Sequence, residues 1–263
     1  MYLCLFCVQS SFAQVINEGF DEVFGAFARD GDEPVDRWAS ANRTGSRGPT
    51  GMFPGFGKTK GYFDAQAGAP NSYIAMNYNN ALLDTNNTTS HWLMTPEIDF
   101  KDGDRFSFWT RTNEGSLFPD RLVVRMSISG DSTEVGDTAE SVGDFDTLLE
   151  DINPMNFVGG YPEEWTRYEF ELNGFTPGDS GRIALQYFNT NMAVNGSYIG
   201  IDSFQYISFL LGDGNEDGVV DLLDIQPFID LLVSGGFSEV YDFNGDGLVT
   251  LEDVQPFVDA IVG

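Results

Sequence analysis

Residues 213–234 and 242–263 are two copies of one 22-residue pattern, offset by 29 positions (242 − 213), and twelve of the aligned positions are identical. Chance does not align that many. Side-chain oxygens recur at positions 1, 3 and 5 of each copy: Asp213, Asn215 and Asp217, then Asp242, Asn244 and Asp246. Position 6 is a glycine (Gly218, Gly247), position 9 is Asp221 or Thr250, and position 12 is Asp224 or Asp253. A hard divalent cation takes six to eight oxygens, and a short loop wraps it when ligands alternate in this way around a sharp glycine turn. The backbone carbonyls of Val219 and Leu248 fall at position 7, where such a loop uses the main chain. The spacing predicts two calcium sites, the first tighter because it offers four carboxylates (Asp213, Asp217, Asp221, Asp224) against three (Asp242, Asp246, Asp253). Magnesium, smaller and strictly octahedral, suits these loops less well. The competing reading is an acidic repeat with a purely structural role.

Charge sharpens the choice. The chain carries 41 acids against 13 bases, a formal net charge of −28. That balance argues against nucleic acid and anionic lipid as partners. From Leu210 onward there are twelve acids and no Lys or Arg, so this segment folds poorly unless something neutralises it. Elsewhere the acids read as a solvated surface.

After each loop comes an apolar set at helical spacing: Ile225, Phe228, Ile229 and Leu232, then Val254, Phe257, Val258 and Ile261. Pro227 and Pro256 are tolerated only in a first helical turn, which starts each helix near the position-12 aspartate. These sets read as a mutual core between two helices, with a partner groove as the alternative. Val220 and Val249 at position 8 are placed to pack the two loops together.

Each loop is similar to an EF-hand loop, but none of the usual leading helix precedes it, since residues 207–211 look strand-like and 235–241 are short and Gly-rich. Position 12 is Asp where an EF-hand has Glu. A duplicated loop with an exiting helix resembles a type I dockerin module, over about 50 residues and at every ligand position. The resemblance implies calcium-dependent docking to a cohesin-like protein or another surface scaffold. It also implies that loop positions 10 and 11, here Leu222, Leu223, Leu251 and Glu252, select the partner. Familiar dockerins carry small hydroxyl residues there, so this departure points away from an ordinary cohesin.

Cys4 and Cys7 lie in an apolar run at residues 2–8, followed by Ser11, Phe12 and Ala13, a small-x-small pattern of signal-peptidase type. Residues 1–13 are expected to be a signal peptide whose start lies upstream of Met1. Cleavage after Ala13 would leave no cysteine for a disulfide or a thiol nucleophile. A buried first strand is the alternative. No later apolar run is long enough to span a bilayer.

Residues 105–111, 122–128, 166–172, 182–188 and 198–202 alternate polar with apolar or are β-branched, as half-buried strands do. A last strand is expected at 204–211, a Gly/Pro-rich surface loop at 43–60, and no helix before residue 220. The expected fold is mostly β: an antiparallel sandwich over residues 14–209, then a small α-helical domain at 210–263. A series of segments resembles the choice-of-anchor J, or cleaved-adhesin, family. It comprises Glu18, Gly19 and Phe20; Trp38; residues 92–99; residues 106–109; residues 165–168; and residues 200–203. That resemblance implies a jelly-roll β-sandwich of an exported bacterial protein, adhesin-like and surface-directed. It further implies a structural calcium between first and last strands, with Glu18 and Asp202 as matching carboxylates. Two locally hydrogen-bonded acids are the alternative there.

No active site emerges. His91 is the only histidine, so a Ser-His-Asp triad would have to use it, and no nucleophile elbow accompanies it. With 41 acids, sequence nominates no catalytic carboxylate pair. Gly55, Gly57 and Lys58 lack the P-loop spacing. Trp92 and Trp109 read as core. Trp38, Tyr62, Phe63 and Tyr73 read as core or as platforms for sugar rings. Asn42, Asn87 and Asn195 begin glycosylation sequons. The expected function is a non-enzymatic secreted or cell-surface adhesin. Two alternatives stand: a carbohydrate-binding module delivered to a complex by the dockerin-like tail, and a polysaccharide hydrolase with an unrecognised carboxylate site.

Overall fold

The computed structural model describes residues 15–21, 37–215 and 217–262. The expected signal peptide at 1–13, with Cys4 and Cys7, lies outside them. The strands are β1 (Val15–Glu18), β2 (Ala39–Asn42), β3 (Phe53–Pro54), β4 (Ile74–Asn77), β5 (Thr89–Met94), β6 (Ile98–Asp99), β7 (Arg105–Thr112), β8 (Leu122–Ser127), β9 (Thr147–Ile152), β10 (Thr166–Glu171), β11 (Ser180–Asn189) and β12 (Tyr198–Ile207). Helices α1 (Ile225–Ser234) and α2 (Val254–Val262) follow.

The strands form two antiparallel sheets. One has the order β10-β7-β12-β4-β3, with β1 beside β12; the other has β2-β5-β11-β8-β9, with β6 beside β11. Only β3–β4, β5–β6 and β8–β9 stay within one sheet; every other connection crosses from one sheet to the other. This interleaving is a jelly roll, a double Greek key closed into a sandwich.

Alternation explains the inner core. Along β7, Phe106 and Phe108 point inward, while Arg105 is exposed and Trp109 and Arg111 are half-buried on the outer face. Phe170 and Tyr168 of β10 stack on Phe106 and Phe108 at 4.5 and 5.7 Å. Ile199, Ile201 and Phe204 of β12 face Leu93, Leu122, Val124, Ile183 and Leu185 across the sandwich. Each such side chain contributes roughly 1.5–3 kcal/mol by leaving water.

Both outer faces are also partly covered. Phe53, Phe63, Tyr73 and Tyr198 build a second cluster over the first sheet, joined by Tyr62 and Trp165. Trp92, Met94 and Ala184 on the second sheet are capped by Val135 and Phe145. Phe63 and Tyr73 are therefore buried in this cluster with Tyr62 packed against it, while Trp38 belongs to the inner core.

Three expectations need correction. Trp109 is not core, because it alternates with the inward Phe108. Residues 43–60 are not simply a surface loop: Met52 and Phe53 are buried, and β3 pairs with β4. Residues 204–211 are no separate strand, since β12 runs through a bulge near Ser203 (φ 49°) and ends at Ile207.

Strand register defines two poles. Tyr198 lies beside Asn77 and Ile199 beside Thr112, so the loops after β4, β7 and β11 gather where β12 begins. The chain leaves toward its tail from the other end of β12. There Asp104 holds the exit by accepting from Phe209 N (2.6 Å) and from the Tyr206 hydroxyl.

Gly200 sits beneath the outer aromatic cluster. A Cβ there would lie 2.7 Å from Phe63, 2.8 Å from Trp165 and 2.9 Å from Tyr73. Gly200→Ala is expected to destabilise the sandwich by about 1–3 kcal/mol through overpacking. Urea unfolding with unchanged slope and a lowered midpoint checks this.

Candidate functional site

The repeat folds as two loops with a shared hydrogen-bond pattern, each followed by a helix. In the first, Asp213 accepts from Asp217 N (3.1 Å) and Gly218 N (2.8 Å). Asp242 accepts from Asp246 N (3.1 Å) and Gly247 N (2.8 Å). Asn215 Oδ1 accepts from Asp217 N, and Asn244 Oδ1 from Asp246 N, both at 2.9 Å. Asp224 accepts from Gly214 N, Asn215 N and Asp221 N; Asp253 accepts from Phe243 N, Asn244 N and Thr250 N. Gly218 (φ 91°) and Gly247 (φ 79°) take the left-handed turn expected at position 6. The position-9 residues also cap the next turn, Asp221 accepting from Leu223 N and Thr250 from Glu252 N.

The carboxylates are costly where they stand. Asp213, Asp224 and Asp253 are at most 4 % exposed, in a segment without a basic residue. Burial raises the Asp213 pKa above the usual carboxylate range, and the charges of Asp224 and Asp217 add to the rise. Backbone amides offset part of that cost. Among the described residues, no three His, Cys, Asp or Glu side chains are grouped so as to hold a metal by themselves. The residues able to hold one also include Asn215, Asn244, Thr250 and the carbonyls of Val219 and Leu248. That set is entirely oxygen, and each carboxylate oxygen bonded to one amide keeps a second lone pair. It suits a hard cation.

The helices begin one residue after Asp224 and Asp253, and Pro227 and Pro256 fall in their first turns. Phe228 meets Phe257 at 4.5 Å, and Ile225, Leu232, Val254 and Ile261 pack around them with Val220 and Val249. Ile229 and Val258 do not join this core: they are 44 % and 42 % exposed. Each lies on the same helical side as an exposed valine, Val233 or Val262, four residues on. Leu222, Leu223, Leu251 and Glu252 are all exposed. Each repeat thus presents an apolar surface to solvent, broader than positions 10 and 11 alone suggested.

In the sandwich, Glu18 and Asp202 lie on neighbouring strands, Glu18 opposite Phe204. Glu18 accepts from Phe20 N at 2.6 Å. Asp202 accepts from Gln66 N, Ala67 N and Ser203 N at 2.7, 3.3 and 2.6 Å, which clamps the 66–67 turn. His91 is buried, with Nδ1 3.0 Å from Asn80 Nδ2. Asn87 is buried and its amide donates to Ser46 O and Leu82 O, so this sequon does not face solvent. Asp120 is buried among Thr112, Tyr187 and Ser197 donors, and burial raises its pKa.

At the loop pole a hollow of about 330 Å³ is lined by Tyr78, Leu83, Phe118, Met192, Asn195 and Ser197. None of its lining residues is ionisable at neutral pH, in a chain of net charge −28. Gly196 (φ 85°) closes its floor by donating to Pro119 O at 2.8 Å. Sequence reading missed Tyr78 and Phe118, because nothing in their local pattern marks loops that meet only through strand order.

No protein-family model matches the chain, and no curated protein matches it. Solved structures similar to it include the K1 cleaved adhesin domain of Lys-gingipain from Porphyromonas gingivalis W83. That match has 17% identity and a TM-score of 0.48, and covers 74% of this chain and 98% of that one. The K3 domain of the same protein matches at 15% identity and TM-score 0.44, covering 73% and 96%. A family 11 carbohydrate-binding module from Clostridium thermocellum, solved with a β-1,3-1,4-mixed-linked tetrasaccharide, matches at 14% identity and TM-score 0.37, covering 73% and 96%. None reaches a TM-score of 0.5, so the jelly-roll assignment rests on the strand order described above.

The raised pKa of Asp213 has a sign that can be measured. A carboxyl whose folded pKa exceeds its unfolded value stabilises fully below the unfolded value, and that contribution is lost as pH rises through the folded one. Asp120 and Asp202, raised by burial too, push the same way. In chelator, the melting temperature is expected to fall as pH rises above the ordinary carboxylate value, until these groups are ionised in the folded chain too. Asp213→Asn is expected to flatten part of that slope in thermal unfolding.

Proposed function

We propose that this chain is a non-catalytic, adhesin-like protein of the cell surface or the extracellular space, whose C-terminal repeat takes two calcium ions and docks onto a cohesin-like or other scaffold protein. One observation carries the reading: two loops repeat the same hydrogen-bond pattern around all-oxygen ligand sets, in a segment with buried carboxylates and no basic residue. Asp213, Asn215, Asp217, Val219 O, Asp221 and Asp224 would hold the first ion. Asp242, Asn244, Asp246, Leu248 O, Thr250 and Asp253 would hold the second. Bound calcium supplies the positive charge that the buried acids lack, and the apolar surfaces beside the loops then meet a partner. The described residues include no helix long and apolar enough to cross a membrane.

Titration calorimetry on the full chain is expected to show two calcium ions, the first loop tighter; Asp217→Ala should leave one. A panel of type I cohesin modules probed in calcium and in chelator tests docking. Binding to at least one member in calcium alone, weakened about tenfold or more by Leu222→Asp with Leu251→Asp, is the expected result. Binding to none removes the docking role while leaving the calcium sites standing.

A second reading, glycan binding by the sandwich, is favoured by the uncharged hollow at the loop pole. Aromatic rings beside an amide and a hydroxyl suit a neutral sugar ring. Phe118→Ala is expected to abolish signals on a glycan array without lowering the melting temperature, since Phe118 is 53 % exposed.

A further inference from the structure

The two loops are not equivalent where they touch. In the repeat register Tyr241 stands where the first copy has Gly212, and Phe243 where it has Gly214 (each 29 positions on). The second copy thus flanks its first ligand, Asp242, with two aromatic residues, and the first copy flanks Asp213 with two glycines. The aromatics fill the space those glycines leave. A Cβ on Gly214 would lie 1.5 Å from the Tyr241 hydroxyl oxygen, and one on Gly212 would lie 3.3 Å from Phe243 Cζ. Tyr241 is 3 % exposed, and its ring packs on Phe228 at 4.9 Å and on Phe257 at 5.4 Å. Its hydroxyl donates to the backbone carbonyl of Asp224 at 2.9 Å. A second link runs between the copies, from Gly212 N to Val240 O at 2.7 Å.

The geometry points to Tyr241 as a positioning residue that couples the two ion loops. It precedes the first ligand of the second loop and holds the main chain of the last ligand of the first. Asp224 in turn braces Gly214 N, Asn215 N and Asp221 N, so its carbonyl anchors one end of the first ring of ligands. A shift of Asp242 on ion binding is carried by one residue to the carbonyl of Asp224. Filling either loop therefore orders the other, and by reciprocity the coupling is equal in both directions. The hydroxyl bond is the severable part of this clasp, while the ring is also core.

The inference rests on the calcium reading, and a double-mutant cycle separates the two. Calcium titrations of the full chain are compared in four backgrounds: unaltered, Asp246→Ala, Tyr241→Phe, and both. Asp246→Ala cripples the second loop. In the Tyr241 background it is expected to weaken the first loop about threefold to tenfold, the share one buried hydrogen bond can carry. In the Tyr241→Phe background it should leave the first loop almost unchanged. A purely structural tyrosine would instead lower both affinities and leave the effect of Asp246→Ala the same. Equal loss in both backgrounds, or no loss in either, overturns the clasp while the calcium sites stand. No calcium uptake by the unaltered chain overturns both. Amide hydrogen exchange at Gly214, Asn215 and Asp221, the amides that Asp224 braces, gives an ion-free readout. Tyr241→Phe is expected to speed it in chelator, and unchanged rates would count against the clasp.

Discussion

Everything in this chain is arranged around one constraint: carboxylates go inside with almost no positive charge to meet them. Asp104, Asp120, Asp202, Asp213, Asp224 and Asp253 are all buried. None accepts from a Lys or Arg side chain among the hydrogen bonds and ion pairs described; amides and hydroxyls surround them instead. In the sandwich this works as internal stitching. Asp104 gathers Lys101 N, Phe209 N and the Tyr206 hydroxyl, and Asp120 gathers Thr112, Tyr187 and Ser197. Donors of this kind lower the cost of a buried charge without the demanding geometry of a buried ion pair.

The tail uses the same device with main-chain donors. Asp213, Asp224 and Asp253 receive backbone amides only, and the helices that follow contribute no basic side chain. Asp202 in the sandwich is held mainly by amides as well, so what sets the tail apart is that no Lys or Arg occurs anywhere after residue 210. The core of the tail is small. Phe228, Tyr241, Val249 and Phe257 are its only fully buried apolar residues among those described, too few to offset acid repulsion comfortably.

Much of this was legible from residue order. β7, β8, β10 and β11 were read within a residue or two at most boundaries, β10 from its alternation and the others from β-branched, aromatic and polar residues interleaved along them. β4 and β5 were not, because all their residues are buried and no polar residue marks a wet face. β2 and β3 are too short to carry a period. In the repeat, both glycine turns and both helix starts fall where the local spacing puts them. The outward placement of Ile229 and Val258 was not, because a helix of this length offers more apolar positions than one small partner can cover. The hollow at the loop pole was invisible for a different reason. Tyr78, Phe118 and Ser197 come from three separate connections that only the interleaved strand order brings together.

That interleaving has a mechanical corollary. The strand that starts beside the hollow is the one that runs out into the tail, ten residues interrupted only by the bulge near Ser203, or about 30 Å of backbone. A load applied at the two ends would pull along that strand and shear its hydrogen bonds to β7 and β4 together, the arrangement in which a sheet resists rupture best. A grip at one extremity and a tether at the other would thus be joined by the stiffest path through the molecule.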